Sequence, residues 1–269
     1  MANRNWQLHP VIATAIGINV AILALAVARS GGDPAPLWHL LGEDGIVEWM
    51  QFLCFSVMAL LLGFVAVDRA NRGTGLSLEV IGIAGLSVLV ALAALEEISW
   101  FQRVLNVESP EFFREHNRQR ETNLHNLALG SGSVHKTVLV KLIFLIGIMH
   151  NLVLPLLARS KPAIRRWVEA LGLYLPPLSA AVPYLLLVLL SHILIDHPRK
   201  GELGEMFGAV HYLSTVFVAY LVGVGYGRPA VIESRADSTR VSVLFAMFMT
   251  FLLFVSWLLA ETSSRLAAS

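Results

Sequence analysis

The chain has 269 residues, of which 56% are hydrophobic and only 14% are charged, whereas an ordinary soluble domain carries about 25% charged residues. This composition excludes a water-soluble globule. A formal net charge of +1, without a Lys/Arg tract or zinc-finger spacing, argues against nucleic acid as a partner. The single cysteine, Cys54, excludes an intramolecular disulfide and a multi-cysteine metal site.

Seven apolar stretches are each long enough to cross a bilayer, which takes about 20 residues. In lipid every backbone polar group must be bonded internally, and these stretches lack the alternation of barrel strands. We therefore predict an all-α polytopic transmembrane helical bundle that forms a single integral membrane domain over residues 1–269. The spans are predicted near residues 10–28, 49–67, 79–96, 134–158, 173–195, 206–226 and 241–260.

The first apolar stretch has a second interpretation. Arg4 precedes it, and Ala26-Val27-Ala28 resembles the cleavage site of a signal peptide. The apolar run contains Asn19 and exceeds the roughly 7 to 15 residues usual in a signal peptide, which favours an uncleaved anchor.

The polar excursion of residues 96–133 is the one long connection, and long connections in compact proteins usually carry function. Within it, Ser109-Pro110-Glu111 is typical of a helix start. We expect a short interfacial helix from about 110 to 120, with Phe112 and Phe113 dipping into the membrane. Residues 161–172 are expected to form a second interfacial segment on the opposite side.

The charge distribution predicts how the bundle is oriented. The side that carries the N-terminus holds ten Lys/Arg and five Asp/Glu, whereas the other side holds eight Lys/Arg and fourteen Asp/Glu. The positive-inside rule then predicts a multi-pass protein of the cell inner membrane with a cytoplasmic N-terminus and an extracytoplasmic C-terminus. Seven of the nine histidines fall on the acidic side, His135 among them.

Three segments on this acidic side suggest chemistry. Residues 96–103 read E-E-I-S-W-F-Q-R and place two acids at the lipid boundary, where a carboxylate usually faces the bundle interior. Residues 117–126 read N-R-Q-R-E-T-N-L-H-N, and residues 192–198 read H-I-L-I-D-H-P. Each of these two holds an acid and a histidine four residues apart, which would share a face in a helix. Alternatively, Asp196 pairs with Arg199.

These segments predict a metal or acid/base centre near the extracytoplasmic face, with a divalent metal such as zinc as its cofactor. The predicted catalytic residues are Glu97, Ser99, Glu121 and His125. The predicted metal ligands are His125, His192, Asp196 and His211. The predicted orienting residues are Gln102, Arg103, Gln119, Asn123, Asn126, Glu205 and Lys141, the last paired with an interior carboxylate or anchoring an anionic substrate.

The segments 96–103 and 117–126 resemble motifs in a group of uncharacterised bacterial multi-pass membrane proteins, in which Gly is more usual where Phe101 and Arg120 stand here. The resemblance implies that both segments form one unit, made of Glu97, Ser99, Trp100, Gln102, Gln119, Glu121, Asn123, His125 and Asn126. A looser similarity links the chain to seven-span zinc hydrolases of the alkaline ceramidase type. The last span lacks the H-x-x-x-H of that family, so the similarity concerns architecture alone.

The leading functional hypothesis is a metal-dependent hydrolase or transferase acting on a lipid-like substrate. The alternatives are a small-solute or proton-coupled transporter that uses Lys141, His150 and the carboxylates, or a structural subunit of a membrane assembly. Helices interrupted near mid-membrane, with polar residues continuing to the opposite side, would favour transport. Polarity that ends halfway would favour an enzyme pocket.

Overall fold

The structure is a computed structural model that describes residues 8–30, 35–129, 131–134, 138–232 and 235–268. Within these ranges the chain is mostly helical, and its longest non-helical stretch lies between α6 and α7. The α-helices are α1 (Pro10–Arg29), α2 (Ala35–Leu41), α3 (Ile46–Arg69), α4 (Leu78–Glu97), α5 (Gln102–Leu105), α6 (Glu111–His116), α7 (Val140–Ile148), α8 (Leu154–Ser160), α9 (Pro162–Ala170), α10 (Leu178–Leu194), α11 (Gly201–Phe217) and α12 (Arg235–Ala268). A two-residue hairpin pairs Ala128–Leu129 (β1) with Gly132–Ser133 (β2).

Within the described ranges, six helical stretches are long and apolar enough to cross a membrane, which confirms the all-α polytopic bundle. They are Pro10–Arg29, Leu37–Gly73, Leu78–Glu97, Val140–Ser160, Gly201–Val222 and Thr239–Ser263. The fifth predicted span, 173–195, is shorter than expected, because its first residues are not helical and α10 has only 17 residues. At 1.5 Å per residue α10 is about 26 Å long, slightly less than the hydrocarbon core. His135, at the start of the predicted fourth span, lies outside the described residues.

Helix α11 is the central helix of the bundle. In the most apolar part of the Gly201–Val222 span, 72% of the residues are buried. Helix α11 packs against α1, α3 and α10. Gly204 and Gly208 allow α10 to approach closely, since a Cβ added at Gly208 would lie 3.2 Å from the Tyr184 hydroxyl. The polar residues of α11 therefore face the interior of the protein and not lipid.

Among the described residues, three of the spans contain or end in a π-helical turn. One, Met149–Val153, joins α7 to α8, another, Val218–Val222, follows α11, and a third, Ala70–Thr74, follows α3. Pro155 follows the first turn and has no N–H to donate to the carbonyl of Asn151, so the regular hydrogen-bond pattern breaks there. The central part of this predicted span is thus interrupted and exposes backbone polar groups to neighbouring side chains.

The two segments that were predicted to lie at the membrane interface contain helices, with different bounds. Helix α6 ends at His116, because Asn117 adopts an extended conformation and its side chain bonds the following loop. The predicted end near residue 120 was therefore too late. Helix α9 covers most of the 161–172 segment, and its Trp167 is 61% exposed.

Candidate functional site

The chain reverses sharply after α4. Ser99, Trp100 and Phe101 have φ values of +49°, +56° and +62°, in the left-handed region that residues with a Cβ rarely adopt. Each such residue costs about 1–2 kcal/mol. The turn buries Ser99 completely and places α5 so that Arg103 reaches Asp44 and Glu48. The strain is retained because a dense polar network holds the turn in place.

Arg103 is the centre of this network. Its guanidinium donates to Asp44 at 3.1 Å and to Glu121 at 2.8 Å, and it also donates to Glu48. Burial disfavours the charged guanidinium, but the carboxylates of Glu48, Glu121 and Asp44 outweigh it and raise the pKa of Arg103 above its ordinary value. Arg103 therefore connects three parts of the chain: the start of α3, the loop after α6 and the turn after α4.

Glu121 is fully engaged inside the network. Its Oε2 accepts from Ser99 Oγ at 2.5 Å and from Asn123 Nδ2 at 3.0 Å, while its Oε1 accepts from Arg103. Asn123 also donates to Ser99 Oγ at 2.8 Å, and Asn117 Nδ2 donates to Asn123 Oδ1 at 2.9 Å. Because these atoms already bind one another, Ser99 and Glu121 act here as structural anchors.

His125 is held by partners on both ring nitrogens. Its Nε2 accepts from Asn126 at 2.9 Å, and its Nδ1 lies 3.3 Å from Glu96 Oε2. Glu96 also accepts from the Trp100 indole at 2.7 Å and from the backbone N–H of Leu124 at 2.7 Å. Since Nε2 is used as an acceptor, His125 offers no ring nitrogen to a metal in this arrangement.

The segments 96–103 and 117–126 therefore meet in one hydrogen-bonded unit, which we call the loop cap (residues 96–126). The remaining motif residues join it as well. Gln102 Oε1 accepts from Thr122 N at 2.6 Å, and Gln119 Nε2 donates to Glu43 at 2.9 Å. Asp44 and Glu48 are cap partners that the sequence analysis missed, because nothing in the sequence relates them to an arginine 55 or more residues later.

Beneath the loop cap, three carboxylates come together. Glu97, the last residue of α4, meets Glu202 and Glu205 of α11, and one oxygen atom from each lies within 4.8 Å of the other two. The Gln51 side chain of α3 hydrogen-bonds Glu97. Of the predicted residues, Glu97 and Glu205 belong to this group, which we call the three-glutamate cluster. Gln51 was missed, although a glutamine within a predicted span was visible in the sequence.

The predicted zinc centre is not assembled. Within the described residues the three-glutamate cluster is the one group of three or more acidic, histidine or cysteine side chains close enough to share an ion, and it contains none of the predicted ligands His125, His192, Asp196 and His211. His192 and Asp196 are exposed, whereas His211 is buried in the middle of the bundle. Lys141 is also exposed on α7, so the predicted inward orientation is wrong.

His211 belongs to a second buried polar group. Its Nε2 lies 2.7 Å from Asn151 Oδ1, and Asn151 Nδ2 donates to the Tyr212 hydroxyl at 2.8 Å and to the Gly147 carbonyl at 3.0 Å. The bond to a carbonyl fixes the amide orientation, so His211 donates from Nε2 and keeps Nδ1 as its basic atom. The Tyr184 ring stacks on His211 at 4.4 Å between centroids.

Polar groups continue beyond His211. His150 Nε2 bonds the Tyr174 carbonyl at 2.9 Å, and the Tyr174 hydroxyl bonds Thr215 at 2.7 Å. A cavity of about 820 Å³ opens on the N-terminal side of the bundle. It is lined by Leu175, which directly follows Tyr174 in the chain, and by the basic residues Arg159 and Arg165. Separate polar side chains, among them Tyr184, His211 and Tyr174, therefore occur between the three-glutamate cluster and this cavity.

A small void lies beside His211. It has a volume of about 10 Å³ and is also lined by Asn19 and Tyr184. Asn19 Oδ1 is buried and has no hydrogen-bond partner among the described residues. A void of this size holds on the order of one water molecule, which would satisfy that oxygen.

Comparison with protein-family models, with curated proteins and with solved structures found no match to the chain.

Proposed function

We propose that the protein is a proton-coupled transporter of a small anionic solute, with α11 as its central helix. The observation that carries this proposal is the position of His211, which is buried ten residues inside α11 and bonded to Asn151 in the π-helical turn of a neighbouring span. Ten residues correspond to about 15 Å, or half the hydrocarbon core. Ionisable groups at that depth are rare and usually functional.

The arrangement supplies a series of groups that exchange protons. The Tyr184 hydroxyl lies beside Gly208 of α11. Gly208 is about one helical turn after Glu205 and one turn before His211. His211 accepts a proton at Nδ1, and His150 and Tyr174 extend the series toward the cavity. Interrupted helices and polarity that continues to the opposite side meet the criterion for transport. The cavity size suits a small molecule, and Arg159 and Arg165 suit an anion.

Proton movement in proteoliposomes tests this proposal. Purified protein would be reconstituted with a pH-sensitive dye inside and a valinomycin-imposed potassium potential, with phosphate and small carboxylates outside. We expect His211→Phe, which keeps an aromatic ring stacked on Tyr184, to lower proton uptake at least tenfold. His192→Phe, which changes an exposed histidine, is the matched control and should behave as wild type. Wild-type uptake equal to that of empty liposomes, or full uptake by His211→Phe, would refute the proposal.

A second candidate is the metal-dependent hydrolase or transferase acting on a lipid-like substrate. The three-glutamate cluster favours it, because carboxylates near a membrane surface can hold a metal beside a lipid headgroup. The engagement of Ser99 and Glu121 in the loop cap counts against it. Headgroup release from phospholipid vesicles with Mg²⁺ or Mn²⁺, lost in Glu97→Gln, would support this candidate over transport.

For either function we place the loop cap at the extracytoplasmic face of the inner membrane, as the charge distribution predicts. The lipid bilayer is then the partner that surrounds the bundle.

A further inference from the structure

The three-glutamate cluster concentrates negative charge at one point. Glu97 is the last residue of α4, and Glu202 and Glu205 lie in the first turns of α11. The carboxylate of Glu48 in α3 also repels Glu97 electrostatically. Arg199 lies 3.3 Å from Glu202 and is shared with Glu43 at 3.6 Å. Three carboxylates at this separation repel one another unless a cation or protons join them.

Gln51 provides an independent observation at the same place. The side chain comes from α3, is only 2% exposed and hydrogen-bonds Glu97. Its amide oxygen, Oε1, is buried and has no hydrogen-bond partner among the described residues. A buried carbonyl-type oxygen without a partner is costly and uncommon in folded proteins. Because the same amide group bonds Glu97, we infer that this oxygen lies near the carboxylates, where a cation would satisfy it.

We propose that Glu97, Glu202, Glu205 and Gln51 form a binding site for a hard divalent cation, of the kind represented by Mg²⁺, Mn²⁺ and Ca²⁺. All four donors are oxygen atoms, which these ions prefer, whereas zinc sites are built largely from histidine and cysteine. The ligands come from α3, α4 and α11, so the cation joins three helices at one end of the bundle. The proposal does not depend on the transport function.

Mn²⁺ binding measured by electron paramagnetic resonance tests the site directly. Chelator-treated protein in detergent micelles would be titrated with Mn²⁺ at pH 7.5, and we expect one ion per chain in wild type. Glu97→Gln and Glu205→Gln should each weaken binding at least tenfold, and Gln51→Leu severalfold. Glu115→Gln changes an exposed acid on α6 and is the matched control, with unchanged binding. Mg²⁺ and Ca²⁺ should compete with Mn²⁺.

A wild type that is folded but binds no Mn²⁺ at millimolar concentration would overturn the site, as would unchanged binding in Glu97→Gln and Glu205→Gln. If a glutamate variant fails to fold, wild-type stoichiometry and Gln51→Leu decide the question. Mn²⁺ binding without proton uptake refutes the transport proposal alone. Proton uptake without Mn²⁺ binding refutes the cation site alone.

Discussion

Arg120 provides the sharpest test of how the loop cap stores strain. Its φ is +59°, and its side chain is exposed and makes no hydrogen bond or ion pair with the described residues. Glycine would remove a left-handed penalty of about 1–2 kcal/mol and add about 0.4–1 kcal/mol of chain entropy to the unfolded state. The backbone bonds to Asn117 and Ser109 would remain. Arg120→Gly should therefore raise the free energy of unfolding by roughly 0.5–1 kcal/mol.

Unfolding by SDS in mixed micelles, followed by tryptophan fluorescence, measures this difference. Arg120→Ala is the matched control, because it removes the same side chain but keeps the Cβ that makes a positive φ unfavourable. Phe101→Gly should be close to neutral, since the relief of strain is offset by loss of the Phe52 ring contact at 5.8 Å, worth about 0.5–1.5 kcal/mol. The reasoning is refuted if Arg120→Gly is no more stable than Arg120→Ala.

The Arg103 network, the His9 cap and the orientation of the bundle each lead to a measurable outcome. Arg103→Gln leaves buried carboxylates uncompensated and should cost about 3 kcal/mol in SDS unfolding, whereas Arg114→Gln, in an exposed pair, should cost under about 0.5 kcal/mol. His9 Nδ1 accepts from the first turn of α1, and burial lowers its pKa. Stability should therefore be full above the unfolded pKa of about 6.5 and fall as pH drops below it, while His9→Asn keeps the cap and loses this pH dependence. The proposed orientation predicts that an impermeant maleimide labels Glu115→Cys in intact cells but labels Arg166→Cys only after permeabilisation. The native Cys54 is buried and should add no background labelling.

Each of these outcomes has a clear opposite. Equal losses for the two arginine variants would contradict the central role of Arg103. An acid-dependent loss of stability that persists unchanged in His9→Asn would show that the cap is not its source. Labelling of Arg166→Cys in intact cells would invert the proposed orientation.

The helical bundle was predictable because lipid permits few structures and long apolar runs are easy to recognise. The fifth span was misjudged because its apolar composition led us to treat residues 173–177 as helix. Pro176 and Pro177 fix the backbone in an extended form before α10 begins. This signal was present in the sequence and should have outweighed the apolar composition.

The candidate site was only partly predictable, because its partners lie far apart in sequence. The spacing of Glu121 and His125 suggested a shared helical face, but residues 117–126 are not helical in the structure. Glu121 therefore bonds Ser99 and Arg103, while His125 bonds Glu96. The histidines were predicted on one side of the membrane, but this did not bring them together. Topology fixes how deep a residue lies in the membrane, but not how far apart two residues lie in the plane of the membrane.

The loop cap and the three-glutamate cluster share one structural element, the end of α4. Glu97 precedes the strained turn by two residues, and the turn is anchored by buried Ser99 and by Arg103, neither of which belongs to the cluster. The cap should therefore position Glu97 toward α11 without touching a cation. Arg103→Gln is expected to weaken Mn²⁺ binding severalfold, although all four proposed ligands are intact. Arg120→Gly relaxes strain while keeping every cap hydrogen bond, so its Mn²⁺ affinity should equal that of wild type. Equal affinity in Arg103→Gln would show that α3, α4 and α11 hold the cluster on their own.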